Sequence, residues 1–255
     1  MPEGDTIFRL AERLRPALAG RTVTRLEVHR HRGPAPEGHF GVESVEAVGK
    51  HLLVTFTGGW VLDSHLRMNG RWRLIEPRAA PAVTGGGVRA VVVVDGAAAV
   101  LSGTPAVGLW HPRDPGPRPW HALGPDLCRD PVDLAEVRTR ARGLPAGTEV
   151  ADMLLDQRVA AGIGNVYKSE ACWAREVDPR RLAAELDDGA LVGLYECAAR
   201  MLRANLRTAR RVTYRGGLAV YGRGGRSCPR CGGRIVVDRQ GDHERITYRC
   251  SACQR

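Results

Sequence analysis

Cys228-Pro229-Arg230-Cys231 and Cys250-Ser251-Ala252-Cys253 form two C-x2-C pairs with eighteen residues between them. Four thiolates at that spacing converge on one tetrahedral Zn2+, and a full set of four leaves no open position, so the expected metal is structural. Two disulfides are the alternative, which a reducing compartment disfavours. Gly232-Gly233 fits a tight knuckle, and residues 235–237 and 245–249 alternate like the two strands of a hairpin. Residues 223–255 therefore read as a zinc ribbon held by Cys228, Cys231, Cys250 and Cys253. The scattered Cys128, Cys172 and Cys197 read as small buried apolar residues.

Charge gathers around that ribbon. Residues 201–255 carry thirteen arginines against Asp238, Asp242 and Glu244, while residues 1–200 hold equal numbers of each sign. A basic end on a neutral body fits a polyanion partner, with a solvated basic face as the plainer reading. The chain has 36 arginines and two lysines, Lys50 and Lys168. Where arginine supplies nearly every positive charge, a retained lysine points to a need for an amine, which can lose its proton.

Upstream of the ribbon the periodicity is helical. Helices are expected over 134–141, over 149–158 with Thr148 as cap, over 165–173 after a Gly162-Ile163-Gly164 turn, and one or two more within 182–206. A proline-rich segment, 105–131, separates these from a strand-rich half with short runs at 21–28, 42–48, 52–56, 60–65, 72–74, 88–94 and 98–102. Ahead of them, Ile7, Leu10, Ala11, Leu14 and Leu18 share one helical face, with Asp5 or Thr6 as cap and Gly20 as stop. The fold class is thus α+β multidomain. A leading helix and β-sandwich fill 1–120, a helical domain fills 121–222, and the ribbon follows. With 43% hydrophobic residues the chain can bury a core, and an apolar run such as 91–94 is only strand-sized. No signal segment is visible, so a soluble cytoplasmic protein without membrane contact is expected.

Three stretches could carry chemistry. Met1 before a small Pro2 is a usual substrate for methionine removal, which leaves a secondary amine on Pro2. An α-amino group titrates near 7.7–8.0, so part of it is neutral at physiological pH and able to attack a sugar carbon, with Glu3 beside it as proton donor. Alone, a proline near the start is commonplace. Gly49-Lys50-His51-Leu52-Leu53 puts one of the two lysines at the mouth of an apolar strand, either as a hairpin-tip charge or as a needed amine. Gly162-Ile163-Gly164-Asn165 exposes N–H groups at a helix start, which is a phosphate site or a plain helix–helix turn.

Several motifs occur together and in order. They are Met1-Pro2-Glu3-Gly4, Gly49-Lys50-His51-Leu52-Leu53, Asp156-Gln157-Arg158 through Gly162-Ile163-Gly164-Asn165-Val166-Tyr167, Ser169-Glu170, and Tyr221-Gly222-Arg223 before the four cysteines. In this the chain resembles the bacterial formamidopyrimidine-DNA glycosylase and endonuclease VIII superfamily over essentially its whole length. The resemblance implies a β-sandwich, a helix–two-turn–helix domain and a zinc finger. It also implies double-stranded DNA with oxidised bases or abasic sites as partner of a monomer. Pro2 would be the Schiff-base nucleophile, Glu3 the proton donor and Lys50 the β-elimination lysine. Arg245 would contact phosphate at the finger tip and assist δ-elimination. Glu170 matches a carboxylate near the nucleophile. Asn165, with Gly164, would hold phosphate, and Arg223 falls in the same DNA-binding set. A flipped-out nucleotide leaves a hole in the stack, and His65-Leu66-Arg67-Met68-Asn69-Gly70 aligns with the loop that fills it. Met68 would be the wedge, with Arg67 and Asn69 facing the orphaned base.

Gly4, where the 8-oxoguanine branch has leucine, and the short stretch between Arg211 and Tyr221 point to the endonuclease VIII branch, which removes oxidised pyrimidines. Arg67-Met68 is closer to the purine branch. Asp5-Thr6 stands where Pro-Glu is frequent, and His121-Ala122 where some relatives carry a DNA-contacting arginine. The expected activity is that of a bifunctional glycosylase and AP lyase of base excision repair. The competing readings are an 8-oxoguanine glycosylase, a lyase without base release, and a non-enzymatic DNA-binding zinc protein.

Overall fold

The computed structural model describes residues 2–84, 87–241 and 244–255. Met1, whose removal is expected above, and Asp242, one of the three acids of the basic end, lie outside the described residues. The chain forms two compact units, one of Pro2 with Thr6–Trp120, the other of Glu3–Asp5 with His121–Arg255. Among the described residues no helix is long and apolar enough to cross a membrane.

The first unit is a sandwich of two four-stranded antiparallel sheets. One has the order β1-β6-β7-β5, from Val23–Val28, Val88–Val94, Ala97–Ser102 and Arg71–Ile75. The other has the order β2-β3-β4-β8, from Val42–Val48, His51–Phe56, Trp60–His65 and Ala106–Trp110. Alternate residues face inward, as strand geometry requires. Val45, Leu52, Val54, Phe56 and Leu62 of one sheet share a buried core with Trp72, Ala90, Val92 and Leu101 of the other. Helix α1, Gly4–Leu18, closes that core with Ile7, Leu10, Leu14 and Leu18. The first sheet is also covered outside, where Val91, Val93 and Val100 pack under Ala80 and Val83.

Strand β8 lies inside the proline-rich segment that the sequence reads as a boundary. Pro105 and Pro112 bracket it, and Leu109 is its one buried residue, so neither alternation nor composition marks it. It is a strand because its backbone pairs with β4 from Val61–Trp110 to His65–Ala106. Helix α1 begins at Gly4, one residue ahead of Asp5, so neither expected cap precedes it.

The second unit carries α2 (Leu134–Arg142), α3 (Val150–Leu155), α4 (Asn165–Ala174) and α5 (Asp188–Ala204), then a hairpin of β9 (Ile235–Gln240) and β10 (Arg245–Cys250). Asp133 and Asp187 cap α2 and α5 by accepting from Glu136 N and Ala190 N. Helix α3 is shorter than expected and starts after Glu149 without a side-chain cap. It stops at Leu155 because the next residues are tied into turns. Gln157 donates to Leu155 O and Ile163 O and accepts from Gly162 N. Residues 123–127 clamp the same turns through Gly124 N to Gln157 O and Leu127 N to Ala161 O.

Candidate active site and metal centre

The opening tetrapeptide docks by backbone and by charge. Gly4 N donates to Gly162 O at 2.9 Å. A Cβ on Gly4 would stand 2.8 Å from Cys128 Sγ and 2.9 Å from Gly162 Cα, so this approach requires glycine. The docking delivers Glu3 to the start of α4. Its carboxylate, 0% exposed, accepts from Gly164 N and Val166 N at 2.8 Å and from Tyr167 N at 3.3 Å. Those are otherwise orphaned donors at the positive end of a helix dipole, an arrangement that holds an anion. Gly164 is the seat: a Cβ there would lie 2.5 Å from Glu3 Cδ. Its N–H, which the sequence reading offers to phosphate, is taken by Glu3.

Asp5 turns to Arg211 in a two-pronged ion pair, Nε to Oδ2 at 2.8 Å and Nη2 to Oδ1 at 2.6 Å, with the carboxylate fully buried. Against burial, the Asp5 hydrogen bond and the Glu3 and Asp5 charges hold the Arg211 guanidinium above its usual range. Arg211 also sits over the Tyr167 ring, 5.4 Å from its centroid. This pair was not legible in the sequence; 206 residues separate its members.

Helix α4 buries four consecutive-turn polar residues, Asn165, Lys168, Ser169 and Glu170. Asn165 is the first residue of the helix, after Gly164 as cap, rather than the cap itself. Its side-chain oxygen is buried with no hydrogen-bond partner. Glu170 accepts from Ala219 N, Val220 N and Tyr221 N, each at 2.8 Å, and from the Thr213 hydroxyl. Its two oxygens thus shape the 213–221 loop, which closes as a short turn through Thr213 N to Gly217 O and Gly217 N to Tyr214 O. Lys168 donates to Thr247 Oγ1 at 2.6 Å and to Ile246 O at 3.5 Å. Burial pushes its ammonium down to about 8, opposed by the charges of Asp152 and Glu3 and aided by Arg245. Arg223 donates to Leu218 O, Ala219 O and Ser227 O, clipping the loop to the approach of the finger.

In the first unit, Gly49 (φ +57°) and Lys50 form the two-residue turn between β2 and β3. His51, the next residue, pairs through Nδ1 with Asp63 Oδ1 at 2.8 Å, and its ring meets that of His65 at 5.3 Å. Burial, then the neighbouring His51 and Lys50 charges, depress His65 to about 4, so its ring is neutral at pH 7. A neutral His65 Nδ1 can accept, and it receives Arg67 N at 3.3 Å. Arg67 adopts φ +53°, and Gly70 N donates to Leu66 O at 2.8 Å, so the loop after β4 is a fixed turn. Gly103 packs so close that a Cβ would stand 2.2 Å from Asn69 O. On this rigid turn Met68 is 63% exposed, the most exposed large apolar side chain among the described residues.

The four finger cysteines bring their sulfurs within 4.8 Å of one another, with Cys231–Cys250 at 3.4 Å and Cys228–Cys253 at 3.9 Å. None of the seven cysteines is in a disulfide. A tetrahedral ion with metal–sulfur bonds of about 2.3 Å needs sulfur–sulfur edges of about 3.8 Å, which this cluster matches. Trp173 Nε1 and Arg230 N donate to Cys228 Sγ at 3.3 and 3.4 Å, the kind of outer contacts that orient a metal ligand. Arg245 is exposed at the start of β10, opposite Gln240.

A sandwich with a leading helix, a helix–two-turn–helix unit holding an N-terminal glutamate, and a four-cysteine hairpin define one class of protein. Residues 1–102 match the formamidopyrimidine-DNA glycosylase N-terminal domain and residues 123–215 the formamidopyrimidine-DNA glycosylase H2TH domain. The chain belongs to this family. It is 39% identical to the probable endonuclease 8 2 of Streptomyces coelicolor, covering all of this chain and 94% of the relative. It is 37% identical to the DNA-(apurinic or apyrimidinic site) lyase Nei2 of Mycolicibacterium smegmatis, covering 100% and 99%. It is 32% identical to a formamidopyrimidine-DNA glycosylase of Chloroflexus aggregans, covering 100% and 98%. The fold matches Lactococcus lactis formamidopyrimidine-DNA glycosylase, crystallised non-covalently bound to DNA containing an AP site, with a TM-score of 0.83 at 21% identity over the whole of both chains.

Proposed function

We propose that this protein is a bifunctional DNA glycosylase and AP lyase of base excision repair, acting on oxidised pyrimidines. The observation that carries the reading is the seat of Glu3. A buried carboxylate held by three N–H groups, on the residue next to a potential terminal amine, is a costly arrangement that a plain DNA-binding protein has no use for. The Pro2 nitrogen lone pair attacks C1′ of the damaged nucleotide and the base departs with its bonding pair; Glu3, ionised in its seat, takes the proton that the attacking nitrogen sheds and passes it to the sugar ring oxygen as the ring opens to the iminium. The resulting iminium makes the C2′ proton acidic. Its removal, with Lys50 assisting, expels the 3′-phosphate, and a second elimination supported by Arg245 expels the 5′-phosphate. Water then releases Pro2.

DNA meets the basic C-terminal end, Asn165 holds phosphate, and Met68 enters the stack with Arg67 and Asn69 beside it. The rigid, exposed turn supports that use of Met68, because a wedge ordered beforehand loses little freedom on binding. Glu170 and Arg223 act by holding the 213–221 loop and its continuation rather than by touching the reacting atoms. That loop is a short closed turn, which supports a pyrimidine rather than a covered purine, as do relatives named endonuclease 8 at 36–39% identity. The protein works as a monomer on DNA in the bacterial cytoplasm.

The metal is Zn2+, held by the four cysteines in a structural role. Chelation, or Cys250→Ser, is expected to release it, melt the β9–β10 hairpin and weaken DNA binding by at least about tenfold. Metal content with a binding titration checks this; undiminished affinity in metal-free protein overturns the finger's part in binding.

Borohydride trapping tests the activity. A duplex with thymine glycol, beside one with 8-oxoguanine and one with an abasic site, is incubated with protein of known intact mass. A covalent adduct on thymine glycol from chains lacking Met1 is expected. Trapping on 8-oxoguanine alone moves the protein to the purine branch. Trapping on the abasic strand alone leaves a lyase, and no adduct on any strand from chains confirmed to lack Met1 leaves a binding protein.

A further inference from the structure

Lys168 is one of two lysines in a chain with 36 arginines, and the proposed reaction makes no use of it. It is 0% exposed, on the same helix start that holds Glu3. A buried ammonium is expensive, so what it binds is informative. Its Nζ donates to the hydroxyl of Thr247, itself fully buried, and that hydroxyl donates onward to the carbonyl of Arg245 at 3.4 Å. The same Nζ reaches Ile246 O. Among the described residues, both hydrogen bonds of the Lys168 ammonium thus fall on the two residues that follow Arg245 along β10.

The opposite strand is pinned independently. Gln240, the register partner of Arg245, donates to Glu149 Oε2 at 2.6 Å and Pro179 O at 2.8 Å. Beyond it, Gly241 lies so close to Asp152 that a Cβ would stand 2.3 Å from the carboxylate oxygen. A two-stranded hairpin by itself is marginally stable in water and would leave its tip poorly placed. Here one strand is held from α3 and the 178–181 turn, and the other from α4.

We infer that Lys168 is the positioning residue for Arg245, linking through Thr247 the helix that seats Glu3 to the finger strand that bears Arg245. The inference rests on the role proposed above for Arg245 and assigns to Lys168 control of the second elimination rather than of base release. The chemistry explains the residue type. A slender ammonium on a four-carbon stem can aim a single donor at one hydroxyl between α4 and β10, whereas a guanidinium would bring five N–H groups in a planar fork to a place that offers a hydroxyl and one carbonyl.

Lys168→Met keeps the length of the stem and removes the charge and its donors. Replacing a buried charged group by an apolar one of similar volume is commonly tolerated. The zinc content and the yield of borohydride adduct are expected to match the parent protein. The rate of the β-to-δ conversion, read from the 3′-unsaturated aldehyde against the 3′-phosphate end, is expected to fall about ten- to a hundredfold, the scale for a misplaced group. Thr247→Val, which removes only the hydroxyl, should give the same product pattern. Lys168→Met combined with Arg245→Ala should be no worse than Arg245→Ala alone, the signature of two residues acting as one unit. A parental δ-product rate in Lys168→Met overturns the inference, as does a loss of adduct in step with the loss of δ product. If Arg245→Ala itself leaves the δ product intact, the role given to Arg245 fails, and this inference fails with it.

Discussion

Glu3→Gln is expected to cut single-turnover release of thymine glycol from duplex DNA by about 10²- to 10⁴-fold, the usual range for loss of a positioned proton donor. The amide has nearly the same shape, so the chain still folds and binds DNA. An amide is too weak a base to take up a proton from the attacking nitrogen and pass it on, and it is mismatched to its seat. The parent carboxylate meets Gly164 N and Tyr167 N with one oxygen and Val166 N with the other. An amide can satisfy one side only and turns its NH2 toward the other, leaving donors facing donors in a fully buried place. Such an unsatisfied pair costs about 1–3 kcal/mol, and a unit of this size melts a few degrees lower for each such kcal/mol. The two readouts separate the roles of the residue. Lower stability with single-turnover base release near the parental rate would leave Glu3 as a helix anchor and move the acid function elsewhere.

Blocking the amine of Pro2 is expected to have the largest effect of all. A chain in which Met1 is retained, or that carries a residual amino-terminal tag, holds the proline nitrogen in an amide, where its lone pair is delocalised into the carbonyl. No borohydride adduct should form on thymine glycol or on an abasic strand, while binding to the same duplexes persists. Comparing adduct yield with the fraction of molecules whose mass lacks Met1 gives the test directly. A preparation wholly retaining Met1 that still cross-links would move the nucleophile to a lysine, of which the chain has Lys50 and Lys168. Since Lys168 is fully buried, Lys50 would be the one to replace next.

Much of this architecture was legible before any coordinates. The sandwich strands show because alternation of apolar residues and glycine turns are local signals, and seven of the eight were expected near their observed places. β8 escaped because its strand character comes from pairing with β4 and not from its own residues. The metal ligands were legible for the opposite reason, since their spacing is itself the signal. The resemblance of the opening residues pointed to Glu3, but nothing local tells what Glu3 binds. Its donors lie 161 to 164 residues away, and only the glycines at 4 and 164 record how close the backbones come. Asp5 and Arg211 were hidden in the same way. Lys168 stood out through composition alone, as a departure from the chain's habit of using arginine, and its partners on β10 could be found only in three dimensions.

The seating of Glu3 also orders events in time. The residues that would attack and protonate a sugar are the first to leave the ribosome, yet Glu3 meets its last donor only once Tyr167 has been joined. Loop 213–221 and the finger strand, which α4 also holds, come later still. A chain that ends before Tyr167 therefore carries an amine with no seated acid behind it. On the proposed reaction, the acid is seated only after about two thirds of the chain has been made, and shorter pieces carry the amine without it.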